Sequence, residues 1–284
     1  MRVHVDCYPC FVHQAILAIR LVNKNEEEQK EFIRTLLPFI SEIDISKTPA
    51  HTTTVMQRRI REMLNCDPFL SVKREYNKRA LTMFSKLRDM VFNSRDPLWT
   101  ATRLSIAGNI IDFSIFSSVD VEHSIERALN SPLSIDDYPS FREAVNNAEN
   151  ILLLADNAGE IVFDRLLVDI LQEGMKRHVV VGVKGGAVIN DATIEDAKMA
   201  GFLEDHYKVI DNGADAIGTI LEVCSDDFRH IFNNSDLIIS KGQGNFETLH
   251  EIEKEHIFFL FQIKCDVVAN VLGKKKGDML LKKI

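Results

Sequence analysis

Asp156, Asn157 and Asp191 are the residues of this chain best suited, by type and spacing, to do chemistry. Each lies in a polar turn that closes a short apolar run. Ile151-Leu152-Leu153-Leu154-Ala155 leads into Asp156-Asn157-Ala158-Gly159-Glu160, and Val179-Val180-Val181-Gly182-Val183 leads through Lys184-Gly185-Gly186 to Ile189-Asn190-Asp191. Short apolar runs closed by polar and Gly residues read as buried parallel strands. Open α/β sheets bind ligands beyond the carboxyl ends of such strands. Two carboxylates and an amide oxygen brought together there form a hard, all-oxygen ligand set, which suits Mg²⁺ or Mn²⁺ better than Zn²⁺. A cation between them also relieves the repulsion of two carboxylates facing one crevice. Each turn alone has a plainer reading as a helix cap: Asp156 or Asn157 for the helix carrying Glu160 and Asp164, and Asp191 for a helix over 192–200.

A third turn follows the apolar run Leu237-Ile238-Ile239, namely Ser240-Lys241-Gly242-Gln243-Gly244-Asn245. Gly242 and Gly244 expose backbone N–H groups as an anion cradle. A helix starting near Phe246 adds its positive end, and Lys241 supplies a point charge for phosphate. A plain Gly-rich turn is the alternative, since the pattern is neither a Walker A sequence nor a dinucleotide fingerprint. Asn109 and Asp112 share one helix face by their i, i+3 spacing. They read either as a buried structural pair or as groups reaching over the sheet mouth to a substrate. Cys7 and Cys10 have metal-ligand spacing, but no second Cys-x-x-Cys follows and the βαβ context of a thioredoxin-like pair is missing. Small buried residues are the plainer reading. The histidine and serine patterns of zinc and serine hydrolases do not occur.

These turns need elements to hold them. Beyond about residue 148, apolar runs alternate with helical segments, which predicts strands at 151–155, 178–183, 207–211, 236–239 and 257–263, with a sixth near 278–282. That rhythm indicates right-handed βαβ units, a mostly parallel sheet and an α/β class. Residues 1 to about 145 carry helical signals instead. Glu26-Glu27-Glu28 leads an apolar stripe, Thr52-Thr53-Thr54 can cap a helix, and Asp67-Pro68 and Asp96-Pro97 are start signals. The second of these leads a long helix through Ile106, Ile110 and Phe113. The expected division is a helical part, 1–147, packed over a site in an α/β part, 148–284. A net charge of −8 argues against a nucleic-acid backbone as partner. No signal-peptide apolar region and no run of 18 apolar residues is present, so no membrane association is expected. Five cysteines, an odd count in a chain of this size, point to a reducing cytoplasm.

The four segments Asp156-Asn157-Ala158-Gly159-Glu160, Ile189-Asn190-Asp191, Lys241-Gly242-Gln243-Gly244-Asn245 and Ala107-Gly108-Asn109-Ile110-Ile111-Asp112, in this order of interest, together resemble the DUF89 family. That family is also called the damage-control phosphatase or ARMT1-like family. The Cys7-x-x-Cys10 start, Asp67-Pro68 with Lys73 and Asn77, and Lys264-Cys265-Asp266 resemble its archaeal and bacterial branch. The resemblance implies a Rossmann-like α/β part with a helical N-terminal part. It implies a divalent cation (Mg²⁺, Mn²⁺, Ni²⁺ or Co²⁺) held by Asp156, Asn157 and Asp191, and hydrolysis of small phosphate monoesters such as sugar phosphates or damaged phosphometabolites. On this reading Asp156, Asp191 and Lys241 are catalytic. Gly242, Gly244 and Asn245 hold phosphoryl oxygens, while Asn109, Asp112 and Glu160 position the substrate or the attacking water. Asp-Asn-Ala in place of Asp-x-Asp favours direct water attack over an aspartyl phospho-enzyme. The rivals are a carboxyl methyltransferase using S-adenosylmethionine, for which no glycine-rich methyl-donor fingerprint follows the first strand, and a non-catalytic metal- or metabolite-binding protein using Cys7 and Cys10.

Overall fold

Asn25 and Thr48 begin two of the helices with which the chain opens. The computed structural model describes residues 1–110, 121–202 and 206–284. Its first four helices are Cys7–Val22 (α1), Glu26–Ser41 (α2), Pro49–Leu64 (α3) and Leu70–Phe92 (α4). Asn25 accepts hydrogen bonds from the N–H groups of Glu27 and Glu28 at 3.0 and 3.3 Å, and three glutamates in the first turn suit the positive helix end. Thr48 accepts from His51 N at 3.3 Å, with Pro49 in the first turn. The cap therefore lies upstream of the Thr52–Thr54 run expected to supply it. Those three threonines are buried inside α3, and Thr54 donates its hydroxyl to Ala50 O at 2.8 Å.

Then follow Pro97–Ile110 (α5), Val121–Asn130 (α6), Ile135–Asp136 (β1), Tyr138–Asn147 (α7), Asn150–Leu154 (β2), Glu160–Asp169 (α8) and His178–Val183 (β3). The remainder is Ile194–Met199 (α9), Lys208–Asp211 (β4), Asp226–Asn234 (α10), Leu237–Lys241 (β5), Gly242–Leu249 (α11), Ile257–Gln262 (β6), Asp266–Leu272 (α12) and Met279–Lys283 (β7). The six expected strands are present within two residues at each end. The seventh, β1, is a two-residue strand within the otherwise helical N-terminal part, too short to leave an apolar run. The sheet order is β1-β7-β6-β5-β2-β3-β4, parallel throughout except for the antiparallel pair β6–β7.

Alternate residues of each strand serve opposite faces, as the pleat requires. Ile151, Leu153, Leu237 and Ile239 join a core shared with α4, α5, α7 and α8. Leu152, Leu154, Ile238, Phe259 and Phe261 join a second core beneath α10, α11 and α12. The first core runs without a break from Ala80 to Leu281, so the chain before residue 148 supplies helices to the sheet as well as a separate cluster. That cluster joins α1, α2 and α3, and Ile189, from the loop after β3, and Val267, in the first turn of α12 after β6, pack against it. By this contact the first helices sit over the carboxyl ends of the strands.

The chain reverses its direction of travel across the sheet between β2 and β5. From β2 it moves outward to β3 and β4, then returns on the other side to β5 and β6. Crevices for ligands open at such a switch, and the turns carrying Asp156 and Gly242 leave from those two strands. Asp112 and Phe113, expected on the continuation of α5, lie outside the described residues. No helix of the described residues is long and apolar enough to cross a membrane.

Phe141 of α7 is fully buried and meets Phe258 of β6 edge-on, with ring centroids 5.3 Å apart. Phe141→Ala is expected to lower the unfolding free energy by about 3–5 kcal/mol, read from denaturant titration. A loss under about 1 kcal/mol would show that α7 does not share the core of the sheet.

Candidate active site

Backbone hydrogen bonds stitch the two acidic turns together. Ala192 N donates to Asp156 O and Ala158 N to Asn190 O, both at 2.8 Å, and Asn157 bridges Asp191 in an antiparallel pair. Register does the rest: Leu154 pairs with Gly182, so the turns leave neighbouring strands at one level. Neither acidic side chain is spent on capping. Helix α8 begins at Gly159, whose φ of 79° makes the tight turn, without a side-chain cap. Helix α9 is started by Thr193, whose N–H and hydroxyl donate to Asp196 Oδ2 at 2.9 and 2.7 Å.

Two amides hold Asp156. Asn109 Nδ2 donates to Asp156 Oδ2 and Glu160 Oε2 at 3.1 and 3.0 Å. Asn157 Nδ2 donates to the same two oxygens at 2.6 and 2.9 Å. Asn109 is itself oriented, because its Oδ1 accepts from Gln262 N at 3.1 Å. The Asp156 carboxylate packs directly on Gly242, where a Cβ would fall 2.0 Å from Oδ2 and where φ is 80°. Only glycine fits that position. Burial first, then the charges of Glu160 and Asp191, pushes the Asp156 carboxyl well above the usual carboxylate range. No cationic side chain of the described residues lies within ion-pair distance of it.

Asp191 is raised too, by burial, with Lys184 opposing. Lys184 Nζ sits 3.4 Å from Asp191 Oδ2 and donates to Gly218 O. Asp191 Oδ2 is buried and has no hydrogen-bond partner. Among the described residues no three His, Cys, Asp or Glu side chains surround one point as metal ligands, so the donors at hand are two carboxylates and the Asn157 amide. A buried carboxylate oxygen without a hydrogen bond, beside a second buried carboxylate that no cationic side chain of the described residues approaches to ion-pair distance, is a donor set that fits a hard divalent cation.

Lys241 stands at the carboxyl end of β5, as expected, but its ammonium faces away from the crevice. It is fully buried and donates to Ser105 O at 2.9 Å, Glu160 Oε1 at 2.6 Å and Asp164 Oδ1 at 2.6 Å. Three donors on three acceptors leave none for a phosphoryl oxygen. Burial opposes its charge, yet Asp164 and Glu160 outweigh burial and raise its pKa. Burial likewise acts to raise Glu160, and the charge of Lys241 keeps it low instead. Asn245 is also turned inward: Nδ2 donates to Lys241 O at 2.7 Å and Oδ1 accepts from Thr219 Oγ1 at 2.7 Å. The structure thus brings together Asp156, Asn157, Asp191, Asn109, Glu160 and Gly242, and gives Lys241 and Asn245 structural partners in place of the phosphate contacts expected of them. Gly244 lines the crevice, and Asp112 lies outside the described residues.

The crevice has a volume of about 440 Å³. Asp156, Asn157 and Asp191 line it, and so do Cys7 and Cys10 of α1 and Ala50 of α3. Lys264, just after β6, also lines it, and its charge acts to lower Asp156, Glu160 and Asp191. It entered the sequence reading only through the family resemblance, although a lysine at the carboxyl end of a parallel strand is a signal in itself. Behind the site, Asn77 of α4 donates to Asp196 at 2.8 Å and accepts from Gly159 N at 2.7 Å, while Lys73 pairs with Asp196 at 2.8 Å. Cys7 and Cys10 are free thiols in the first turn of α1, and burial raises both.

A family model described as the damage-control phosphatase ARMT1-like domain matches residues 3–280. An uncharacterized protein of Methanocaldococcus jannaschii is 37% identical, over 100% of this chain and 96% of its own length. A protein of Pyrococcus horikoshii named damage-control phosphatase is 36% identical over 99% of this chain and 97% of its own. One of the same name from Archaeoglobus fulgidus is 32% identical over 99% of each. The crystal structure of a DUF89 family protein from Pyrococcus horikoshii superposes with a TM-score of 0.88 at 35% identity, over 100% of this chain and 99% of that one.

Lys241→Met leaves Glu160 and Asp164 buried without their cation. It is expected to cost about 3–5 kcal/mol of unfolding free energy, measured by chemical denaturation. A phosphate-binding lysine in an open turn would instead leave stability unchanged and weaken inhibition by inorganic phosphate.

Proposed function

Since this chain belongs to the damage-control phosphatase ARMT1-like family, we propose that it is a phosphatase that hydrolyses small phosphorylated metabolites with the help of a divalent cation. The observation that carries the reading is the meeting of Asp156 and Asp191 in one crevice, both buried, the first with no cationic side chain of the described residues within ion-pair distance and the second with an oxygen that has only the Lys184 ammonium beside it and no hydrogen bond. Asp156, Asn157 and Asp191 are the residues that would hold the cation, Mg²⁺, Mn²⁺, Ni²⁺ or Co²⁺. When bound, such an ion neutralises charge on the transferring phosphoryl group.

The chain's own residues do the rest. Asn109 and Asn157 fix the Asp156 carboxylate from two sides, and Lys184 fixes Asp191. Lys264 brings a positive charge into the crevice that acts on Asp156 and Asp191, the task that the buried Lys241 is not placed to perform. In a crevice walled partly by α1 and α3 that charge is less screened than in open water and acts more strongly on an anion. Sugar phosphates and damaged phosphometabolites are the substrate classes that the family resemblance implies.

Asp156→Asn keeps shape and removes one ligand charge. Phosphate release is expected to fall at least ~100-fold, the scale of losing a transition-state electrostatic group, while the melting temperature in chelator holds or rises because buried repulsion is relieved. An Asp156→Asn protein that turns over at the wild-type rate would exclude the site. Lys264→Ala, tested by competition with inorganic phosphate, is expected to weaken that inhibition about tenfold or more with the melting temperature within about 2 °C of wild type. Dialysis against chelator should abolish turnover, and a screen of divalent ions against sugar phosphates, nucleotides and phosphocofactors should restore it. Full activity in chelator would overturn the requirement for a cation.

A further inference from the structure

Seven carboxylates of the described residues are buried: Asp156, Glu160, Asp164, Asp169, Asp191, Asp196 and Glu247. Five have a cationic side chain within 4.0 Å: Lys241 serves Glu160 and Asp164, Arg88 and Arg165 serve Asp169, Lys184 serves Asp191, and Lys73 serves Asp196. The two without one are Asp156 and Glu247, and both line the same crevice. Leaving a buried carboxylate without a counter-charge is costly unless something else meets it. The proposed cation meets Asp156. Nothing in the mechanism meets Glu247.

Glu247 is held rather than loose. Its Oε1 accepts from Gln243 Nε2 at 2.9 Å, and the Ala50 backbone also hydrogen-bonds it. Gln243 is fixed in turn, since its Oε1 accepts from Lys264 N at 2.9 Å. Among the described residues, the amino-terminal ammonium acts on Glu247 but is itself paired with Glu251. Along α11, Glu247 lies five residues from Gly242, on which Asp156 packs, or about 7.5 Å at the helical rise. Since Asp156 and Glu247 line one crevice, a phosphate ester with its phosphoryl group beside Asp156 can carry its alcohol part towards Glu247.

We propose that Glu247 is a specificity residue that hydrogen-bonds a hydroxyl of the substrate's alcohol part, several bonds from the ester oxygen, and so selects hydroxylated phosphate esters. This rests on the phosphatase reading above. A hydroxyl suits the position better than an ammonium because Lys264 and Lys276 share the crevice and repel a second cation. A hydroxyl can also donate to the ionised carboxyl or accept from the neutral one. That matters because burial, opposed by the Gln243 hydrogen bond, pushes the carboxyl up to about 7.

The test compares 4-hydroxybutyl phosphate with butyl phosphate, which differ by one hydroxyl, using p-nitrophenyl phosphate as the ester without one. Wild-type enzyme is expected to prefer the hydroxylated ester by about 10- to 100-fold in kcat/KM, the worth of one hydrogen bond to a charged group. Glu247→Leu should erase that preference through KM, leaving butyl and p-nitrophenyl phosphate turnover within about twofold, and Glu247→Gln should restore part of it. Removing an unpaired buried charge should keep or raise the melting temperature, which separates loss of recognition from loss of fold. Turnover of p-nitrophenyl phosphate without a hydroxyl preference, an equal loss on all three esters in Glu247→Leu, or the same preference retained in that variant overturns the role of Glu247 and leaves the phosphatase reading standing. A preference for 4-aminobutyl phosphate overturns the hydroxyl in favour of an ammonium. No phosphate release from any ester by metal-loaded wild type overturns both readings together.

Discussion

A buried ammonium organises this protein. Lys241 leaves the end of β5 and ties that strand to two helices: α5 through the Ser105 carbonyl, and the first and second turns of α8 through Glu160 and Asp164. Because Glu160 is held at one oxygen by Lys241, its other oxygen is free to take the amides of Asn109 and Asn157, and those amides place Asp156. The crevice is thus the outer layer of an ion cluster whose inner layer is closed to water. Such a cluster gains little over an apolar core in stability, and breaking it is expensive. What it supplies here is a defined direction for each carboxylate.

The strands hold the ends of this cluster at one level. β2 and β5 are neighbours in the sheet although the chain between them visits β3 and β4 on the far side. The crevice opens where these paths part, and the helices before residue 65 sit over it. Asn77 extends the arrangement outward: one amide contacts both the turn at Gly159 and the helix beginning at Ile194. The two acidic turns are therefore braced from the helical side as well as by their own backbone bonds.

The strands were legible because a strand buried on both faces is uniformly apolar and its end is abrupt. The acidic turns were legible for the same reason, as the first polar residues after each run. β1 was not, since two residues carry no periodicity, and the Thr52–Thr54 run was misplaced because a threonine caps or packs depending on where the preceding proline falls. Lys241 looked like a loop residue. Counting by twos from Leu237 and Ile239 puts it on the face of the sheet that receives α8, which is where it goes. Glu247 had no local signal at all: a glutamate in a helix is ordinarily solvated, and only the docking of α1 and α3 makes it an interior group.

One edge of the sheet bears on the order in which a ribosome delivers this chain. β1 pairs with β7 alone, and β7 begins at residue 279. Helices α1 to α7 can emerge and begin to pair among themselves, but the strand embedded among them stays without a partner for some 140 residues of further synthesis. During that interval Ile135 and Asp136 present open backbone groups, and α7 waits for β6, on whose Phe258 its Phe141 packs. Completion of the fold is thus deferred to the final strand described, and a nascent chain halted before it would keep an unsealed edge.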